Sequence, residues 1–483
     1  MAADLVGTDR ERRPTRSAEE ASCANGGRWW PSVSVPSCFL LDTTVLSVAL
    51  PALGEGLSAS LPELQWVVNI YTLVLAVLML AMGSLVDRFG ARTVYVAGLV
   101  LFGVASLACG LAPGVGVLIA ARGVQGIGGA AIAVTTFALI GSVYRGPDMG
   151  RAMGVFAAVT GLAAAAGPML GGILTQYLSW RAVFFVNIPL AAVTIALSLH
   201  VLMAGQRPAA ARIDAPGVLA FALCGGSLTY ALTRAGDEGW TAPGVLFLLA
   251  VAALALVAFV RVELRTAAPL LDMRLFARGS FAAVMTCVIA STSAFATLVY
   301  TSVWLQSGLG LGPVRAGLAL MPLALASLTT SLIAGRTLHG KSPRAMLATG
   351  LLLSAIGCAL QAGLDAGSSA GSVAAGLAVT GVGVGLMGPT MGAAVFAALP
   401  PERGGMAAGS MTTFRQLGQT LGVAVFGVLF QHGGTSAVDG LNRVLIAAAA
   451  VGIVGAALAY AFVPKPAAGQ ASSPARSSAT GSQ

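Results

Sequence analysis

Two ionisable side chains stand in stretches that are otherwise almost wholly apolar. Asp42 interrupts the run Leu41-Asp42-Thr43-Thr44-Val45, which continues to Val48-Ala49-Leu50-Pro51. Arg122 lies in Ala121-Arg122-Gly123-Val124-Gln125-Gly126-Ile127-Gly128-Gly129. An arginine at the centre of a hydrocarbon layer costs at least ~2.5 kcal/mol on the mildest insertion scale. It should therefore face a protein interior and pair with an acid, and Asp42 is the one acid placed inside an apolar run. An acid in that position can do proton chemistry. Desolvation favours its neutral form, a neighbouring arginine favours its ionised form, and the balance brings protonation within reach of physiological pH. The plainer readings are a water-exposed helix end for Asp42 and an architectural ion pair for Arg122.

Other chemistries find little support. Cys23, Cys38, Cys109, Cys224, Cys287 and Cys358 are scattered singly, as are His200, His339 and His432, so neither a metal site nor a disulfide framework is expected. The run Gly381-Val-Gly383-Val-Gly385 sits inside an apolar stretch and lacks the strand–turn–helix setting of a nucleotide loop. No cofactor or nucleotide is expected. The net charge of +9 is spread over short segments rather than gathered in a basic patch, so no nucleic-acid partner is expected either.

The elements that must position these residues are membrane helices. Of 483 residues, 57% are hydrophobic and only 9% charged, against roughly 25% charged in a soluble domain. Continuously apolar runs long enough to cross a ~30 Å hydrocarbon core recur along the chain. Fourteen spans are predicted, with cores near 31–51, 66–86, 93–112, 115–143, 150–175, 182–203, 216–233, 243–261, 281–304, 313–335, 345–363, 372–397, 405–430 and 441–463. With the N-terminus inside, 21 of the 27 lysines and arginines fall on cytoplasmic segments and 4 outside, leaving Arg122 and Arg415 within spans. By the positive-inside rule both termini are cytoplasmic. Residues 1–30 and 464–483 read as disordered tails. The first span has a short apolar part, Cys38 to Leu50, preceded by Pro31 and Pro36. Residues 22–40 therefore read as an irregular lead-in, the mark of an imperfect reading frame or a damaged first helix.

Further motifs carry a family resemblance. Gly83-Ser-Leu-Val-Asp87-Arg88-Phe-Gly90-Ala-Arg92 resembles motif A of the major facilitator superfamily, departing from it at Ala91. A fainter copy, Gly335-Arg-Thr-Leu-His339-Gly-Lys-Ser342-Pro-Arg344, has the same spacing and reads as a decayed internal repeat. The stretch around Asp42 resembles the first-helix motif of the 14-helix drug–proton antiporter branch, with Ser47 where asparagine is usual. The stretch around Arg122 resembles motif B, and Gly154, Ala163, Gly167, Pro168, Gly171 and Gly172 resemble motif C, found in exporters. Phe184-Phe185-Val186-Asn187-Ile188-Pro189, Pro269-Leu-Leu-Asp272-Met-Arg274-Leu-Phe276 and Phe414-Arg415-Gln416-Leu417-Gly418 extend the likeness over about residues 40–463.

The resemblance implies an all-α polytopic membrane protein of the major facilitator fold. Its parts would be an N-terminal six-helix bundle (31–203), two inserted helices (204–262) and a C-terminal six-helix bundle (263–463). It implies a monomeric plasma-membrane transporter, not an enzyme, that exports drugs or other amphiphilic small molecules in exchange for protons. Asp42 and Arg122 would couple protons. Gly83, Asp87, Arg88, Gly90 and Arg92 would form a cytoplasmic charge latch. Asn69, Tyr71, Gln125, Phe137, Trp304, Gln306, Phe414 and Arg415 are candidates to line a substrate cavity. The alternatives are a facilitator-type nutrient importer and a non-transporting remnant with a damaged first helix.

Overall fold

A computed structural model describes residues 36–143, 159, 162–163, 166–201, 214–266, 269–337, 342–365, 367–397, 404–432 and 436–463. Among them the chain is helical and contains no strand. The helices in order are α1 (Pro36–Leu57), α2 (Leu61–Phe89), α3 (Ala91–Gly110), α4 (Val115–Val143) and α5 (166–177). A single turn, Ala182–Phe185, leads into α6 (Asn187–Val201). There follow α7 (Ala215–Glu238), α8 (Pro243–Arg265), α9 (Gly279–Val303, closing in a π-turn at Trp304–Gly308) and α10 (Pro313–Thr337). The last are α11 (Pro343–Gln361), α12 (Ala374–Ala397), α13 (Gly404–Gln431) and α14 (Ala437–Phe462).

Eleven segments among the described residues are long and apolar enough to cross a membrane. The other three are α1, α5 and α13. α5 is described only over its last part, and α13 carries a polar row at Ser410, Thr413, Arg415, Gln416 and Thr420. Several boundaries depart from the sequence expectation. α1 is shifted toward its C-terminal end, running to Leu57 through Pro51 with Pro36 as its first residue. A proline is tolerated in a first helical turn, where its missing N–H has no partner to lose, so Pro36 does not break the helix. α8 extends to Arg265 rather than 261 and takes Glu263 into the interior. Residues 1–30 and 464–483 lie outside the described residues, as does most of 150–165.

Close approach of helices is built from small residues, as lipid gives helices no hydrophobic reason to associate. α3 and α4 meet where a side chain on Gly98 would come within 2.7 Å of Ala131 Cβ, and one on Gly128 within 2.7 Å of the Phe102 backbone nitrogen. α11 and α12 pack in the same manner, through Gly357 and Gly376. α2 packs on α4, and α9 on α13 and α14. α2 and α13 lie directly against each other, and α7 touches both. α8 packs on α7 and is otherwise covered little: 22% of its span is buried, and Phe247 and Leu254 stand on its exposed face.

Candidate functional site

Asp42 and Arg122 meet in the interior. α1 carries Asp42, 1% exposed, and α4 carries Arg122, fully buried. They form an ion pair through Arg122 Nη1 and Asp42 Oδ2. The other carboxylate oxygen, Oδ1, accepts from Asn187 Nδ2 at 2.8 Å and from Gln125 Nε2 at 3.1 Å. The Asp42 carboxylate thus accepts from three side chains, Arg122, Gln125 and Asn187. Arg122 is held equally firmly. Its Nε donates to the Val67 carbonyl at 3.1 Å and its Nη1 also to Gln125 Oε1 at 2.7 Å. The Tyr71 ring lies 4.1 Å below the guanidinium carbon, and Phe184 lies 5.9 Å away. Gln125 reaches on to Ser106 Oγ on α3 at 2.8 Å, and Cys109 donates to Gln125 at 3.8 Å. Five helices thus converge on one buried pair, with α2 contributing a carbonyl and a ring.

The sequence had pointed to Asp42 and Arg122 as partners, and the structure pairs them. It did not point to Ser106, Cys109 or Asn187 as members of the same network. Asn187 was visible only as part of the Phe184–Pro189 stretch, although it is the sole amide side chain in its span.

The proposed cavity residues divide. Tyr71 and Gln125 belong to the ion-pair network. Asn69 and Trp304 are fully buried, and among the described residues the Asn69 amide and Trp304 Nε1 have no hydrogen-bond partner. Gln306 Nε2 donates to the Val48 carbonyl at 2.8 Å, tying α9 to α1. Phe414 packs against Phe276 in the segment before α9, with ring centroids 5.6 Å apart. Arg415, midway along α13, is exposed. The side chain of Phe137 lies outside the described residues.

Motif C sits at a junction. A Cβ on Gly171 would lie 2.5 Å from the Val45 carbonyl oxygen of α1, and one on Gly172 would lie 2.6 Å from that of Pro313 at the start of α10. Gly317 returns the contact onto the Pro168 carbonyl, and Gly167 onto Thr44. Gln176 Oε1 accepts from the Val314 N–H at 3.1 Å. α5 is thereby held between α1 and α10 with no room for side chains. Thr72 and Thr420 hydroxyls meet at 2.7 Å where α2 crosses α13. Gly154 lies outside the described residues.

At the other end of α2, Gly90 ends the helix with φ of 82°, a conformation suited to glycine, and α3 begins at the next residue. Arg92 Nη2 donates to the Leu199 carbonyl at 3.1 Å, Arg88 is exposed, and Gly83 has open space beside it. The Asp87 side chain lies outside the described residues, so the latch itself is not drawn.

A bundle of membrane-crossing helices around a buried ion pair, with glycine seams where helices meet, is the architecture of a secondary transporter. Residues 35–342 and 285–481 match the family model of the Major Facilitator Superfamily, and the chain belongs to that superfamily. It is an integral membrane transporter and not an enzyme. The chain is 37% identical over 435 residues to the puromycin resistance protein pur8 of Streptomyces alboniger, covering 86% of this chain and 85% of that one. It is 34% identical to the multidrug resistance protein Stp of Mycobacterium tuberculosis, over 80% of this chain and 72% of that one. It is 30% identical to the tetracenomycin C resistance and export protein of Streptomyces glaucescens, over 88% and 80%.

Proposed function

We propose that this protein exports drug-like, amphiphilic small molecules across the plasma membrane in exchange for protons, with Asp42 as the proton carrier. The observation that carries the reading is the Asp42–Arg122 pair, buried together and joined to the side chains of Gln125, Asn187 and Tyr71. Relatives named for resistance to, or export of, antibiotics support the outward direction and the substrate class.

Two six-helix halves, 31–203 and 263–463, rock about a site between them, and 204–262 supplies the inserted pair. The like glycine seams of α3–α4 and α11–α12 support the two-half reading. With both termini cytoplasmic, the α5–α10 junction lies at the outer end, and in this arrangement that end is closed. Asn69 and Trp304 offer free polar groups to a substrate. Motif A holds the cytoplasmic end in the opposite state. A single chain is the working unit.

The exchange follows from charge. A proton reaching Asp42 from outside removes the partner of Arg122, and the guanidinium is left buried with only neutral acceptors. A buried charge whose partner is removed is strongly destabilised, by about 3–5 kcal/mol. The pair therefore cannot keep its geometry in both protonation states. That difference is what couples proton occupancy to the choice between inward and outward openings. The driving force is about 2.3 kcal/mol per charge per 100 mV, with about 1.4 kcal/mol added per pH unit.

Inside-out vesicles holding a pH gradient test this. Addition of a transported drug should dissipate the gradient with the native chain and leave it intact with Asp42→Asn. Dissipation that persists in Asp42→Asn would remove Asp42 from the proton path while keeping antiport. Absence of any response across a broad drug panel would argue against drug export.

A further inference from the structure

A pair of acids is buried far along the chain from Asp42. Glu263, carried into the interior by the extra turn of α8, is 3% exposed, and Asp214, which caps the start of α7, is 8% exposed. One oxygen of each is satisfied. Asp214 Oδ1 accepts from the Gly217 N–H at 3.0 Å, and Glu263 Oε2 accepts from the Leu271 N–H at 3.0 Å. The remaining oxygens, Asp214 Oδ2 and Glu263 Oε1, are buried and have no hydrogen-bond partner among the described residues. Both are aimed at one place. Each lies 2.8 Å from the point where a Cβ would stand on Gly217, so the two oxygens are at most twice that distance apart. Among the described residues the charged side chains on the neighbouring elements are Arg261 and Arg265 on α8, and Asp272, Arg274 and Arg278 on the segment leading into α9; Arg212, two residues before Asp214, lies outside them. Among the described residues none of these forms an ion pair with either acid.

Two buried carboxylates whose free oxygens approach one point repel each other when both carry charge, and a positive charge placed between them relieves that repulsion. A hard metal ion takes six or more oxygen ligands. Among the described residues no group of three or more acidic, histidine or cysteine side chains gathers that could hold one. A proton needs only the two oxygens that are free here. We propose that Asp214 and Glu263 share a single proton, forming a second protonation site that ties the inserted helices α7 and α8 to the segment leading into α9. With the proton present, one carboxyl donates to the free oxygen of the other, and the start of α7, the end of α8 and residues 269–271 are held as one corner. Without it, two like charges face each other and the corner is forced open. The site does not involve Asp42 and stands whether or not Asp42 carries the transported proton.

The test is infrared difference spectroscopy of the full chain in lipid nanodiscs at neutral pH, with thermal unfolding followed against pH. A protonated-carboxyl band should be present in the native chain and in Asp42→Asn. It should be lost in both Glu263→Gln and Asp214→Asn, because each substitution puts an amide N–H in the place of the shared proton. The native unfolding temperature should fall as pH rises, since the folded chain holds a proton that the unfolded chain releases, and this slope should flatten in both variants. A band that survives in the Glu263→Gln/Asp214→Asn double variant overturns the proposal, as does its absence from the native chain. The native chain alone supplies a further arm. Saturable thermal stabilisation by sodium or calcium chloride, with no protonated-carboxyl band, would assign the site to a metal ion instead.

Discussion

At the scale of single residues, the chemistry rests on how completely the Asp42 and Arg122 hydrogen-bonding groups are occupied. Arg122 donates in two directions at once, to the acid and glutamine through Nη1 and to a backbone carbonyl through Nε, with a ring beneath its plane. Lysine is a compact point charge and cannot reproduce that fork. Arg122→Lys should abolish drug-driven proton movement while the protein still inserts and purifies, as checked by vesicle transport beside size-exclusion profiles. Asn187 is the milder position. Asn187→Ala removes one of the three donors to the Asp42 carboxylate. A hydrogen bond to a charged group contributes about 1.5–3 kcal/mol. Losing it loosens the network around the ion pair, so the pH profile of transport should shift in Asn187→Ala. A profile that stays in place would show that Asn187 only fills space.

At the scale of elements, the seams decide what can move. The Gly171–Val45 approach leaves no room for a methyl group, which would have to push into a backbone carbonyl. Overpacking of this kind costs about 1–3 kcal/mol. Gly171→Ala should therefore weaken the closed α1–α5–α10 arrangement and slow transport severalfold. A cysteine placed at the α5–α10 junction should become more reactive to a water-soluble thiol reagent in that variant. Gly98→Ala meets a similar obstacle between α3 and α4, but inside what we read as one half. It should lower thermal stability more than it lowers turnover.

Much at this level was legible beforehand. Continuous apolar runs predict helices without ambiguity, and an acid and an arginine in hydrocarbon have few ways to avoid each other. What was not legible is the lateral placement of neutral polar residues. Ser106, Cys109 and Asn187 are small or singly polar, produce no periodic signal, and join the network only because α3 and α6 turn these positions inward. Glu263 was missed for a different reason. Charged residues at a span's end look like its boundary, and α8 continues one turn past Arg261. Aromatic type alone does not show that Phe414 packs against Phe276.

At the scale of the whole molecule, the rocking of two halves requires α2 and α13 to part at one end and stay together at the other. The hydroxyls of Thr72 and Thr420 touch at 2.7 Å across that crossing. Paired Thr72→Cys and Thr420→Cys substitutions should form a disulfide on mild oxidation and stop transport, and a reductant should restore it. Undiminished transport in the oxidised, fully cross-linked protein would contradict a hinge movement at this crossing.

The position of α7 makes the two flanks of this molecule unequal. It lies across the groove where α2 and α13 meet, with α8 outside it as a further layer against lipid. A compound already dissolved in the bilayer thus meets a double wall on that flank and a single one on the flank of α5 and α10. Entry from the membrane's inner leaflet would be one-sided. A photoreactive, lipid-soluble substrate analogue should accordingly label α5 and α10 well before it labels α2 or α13.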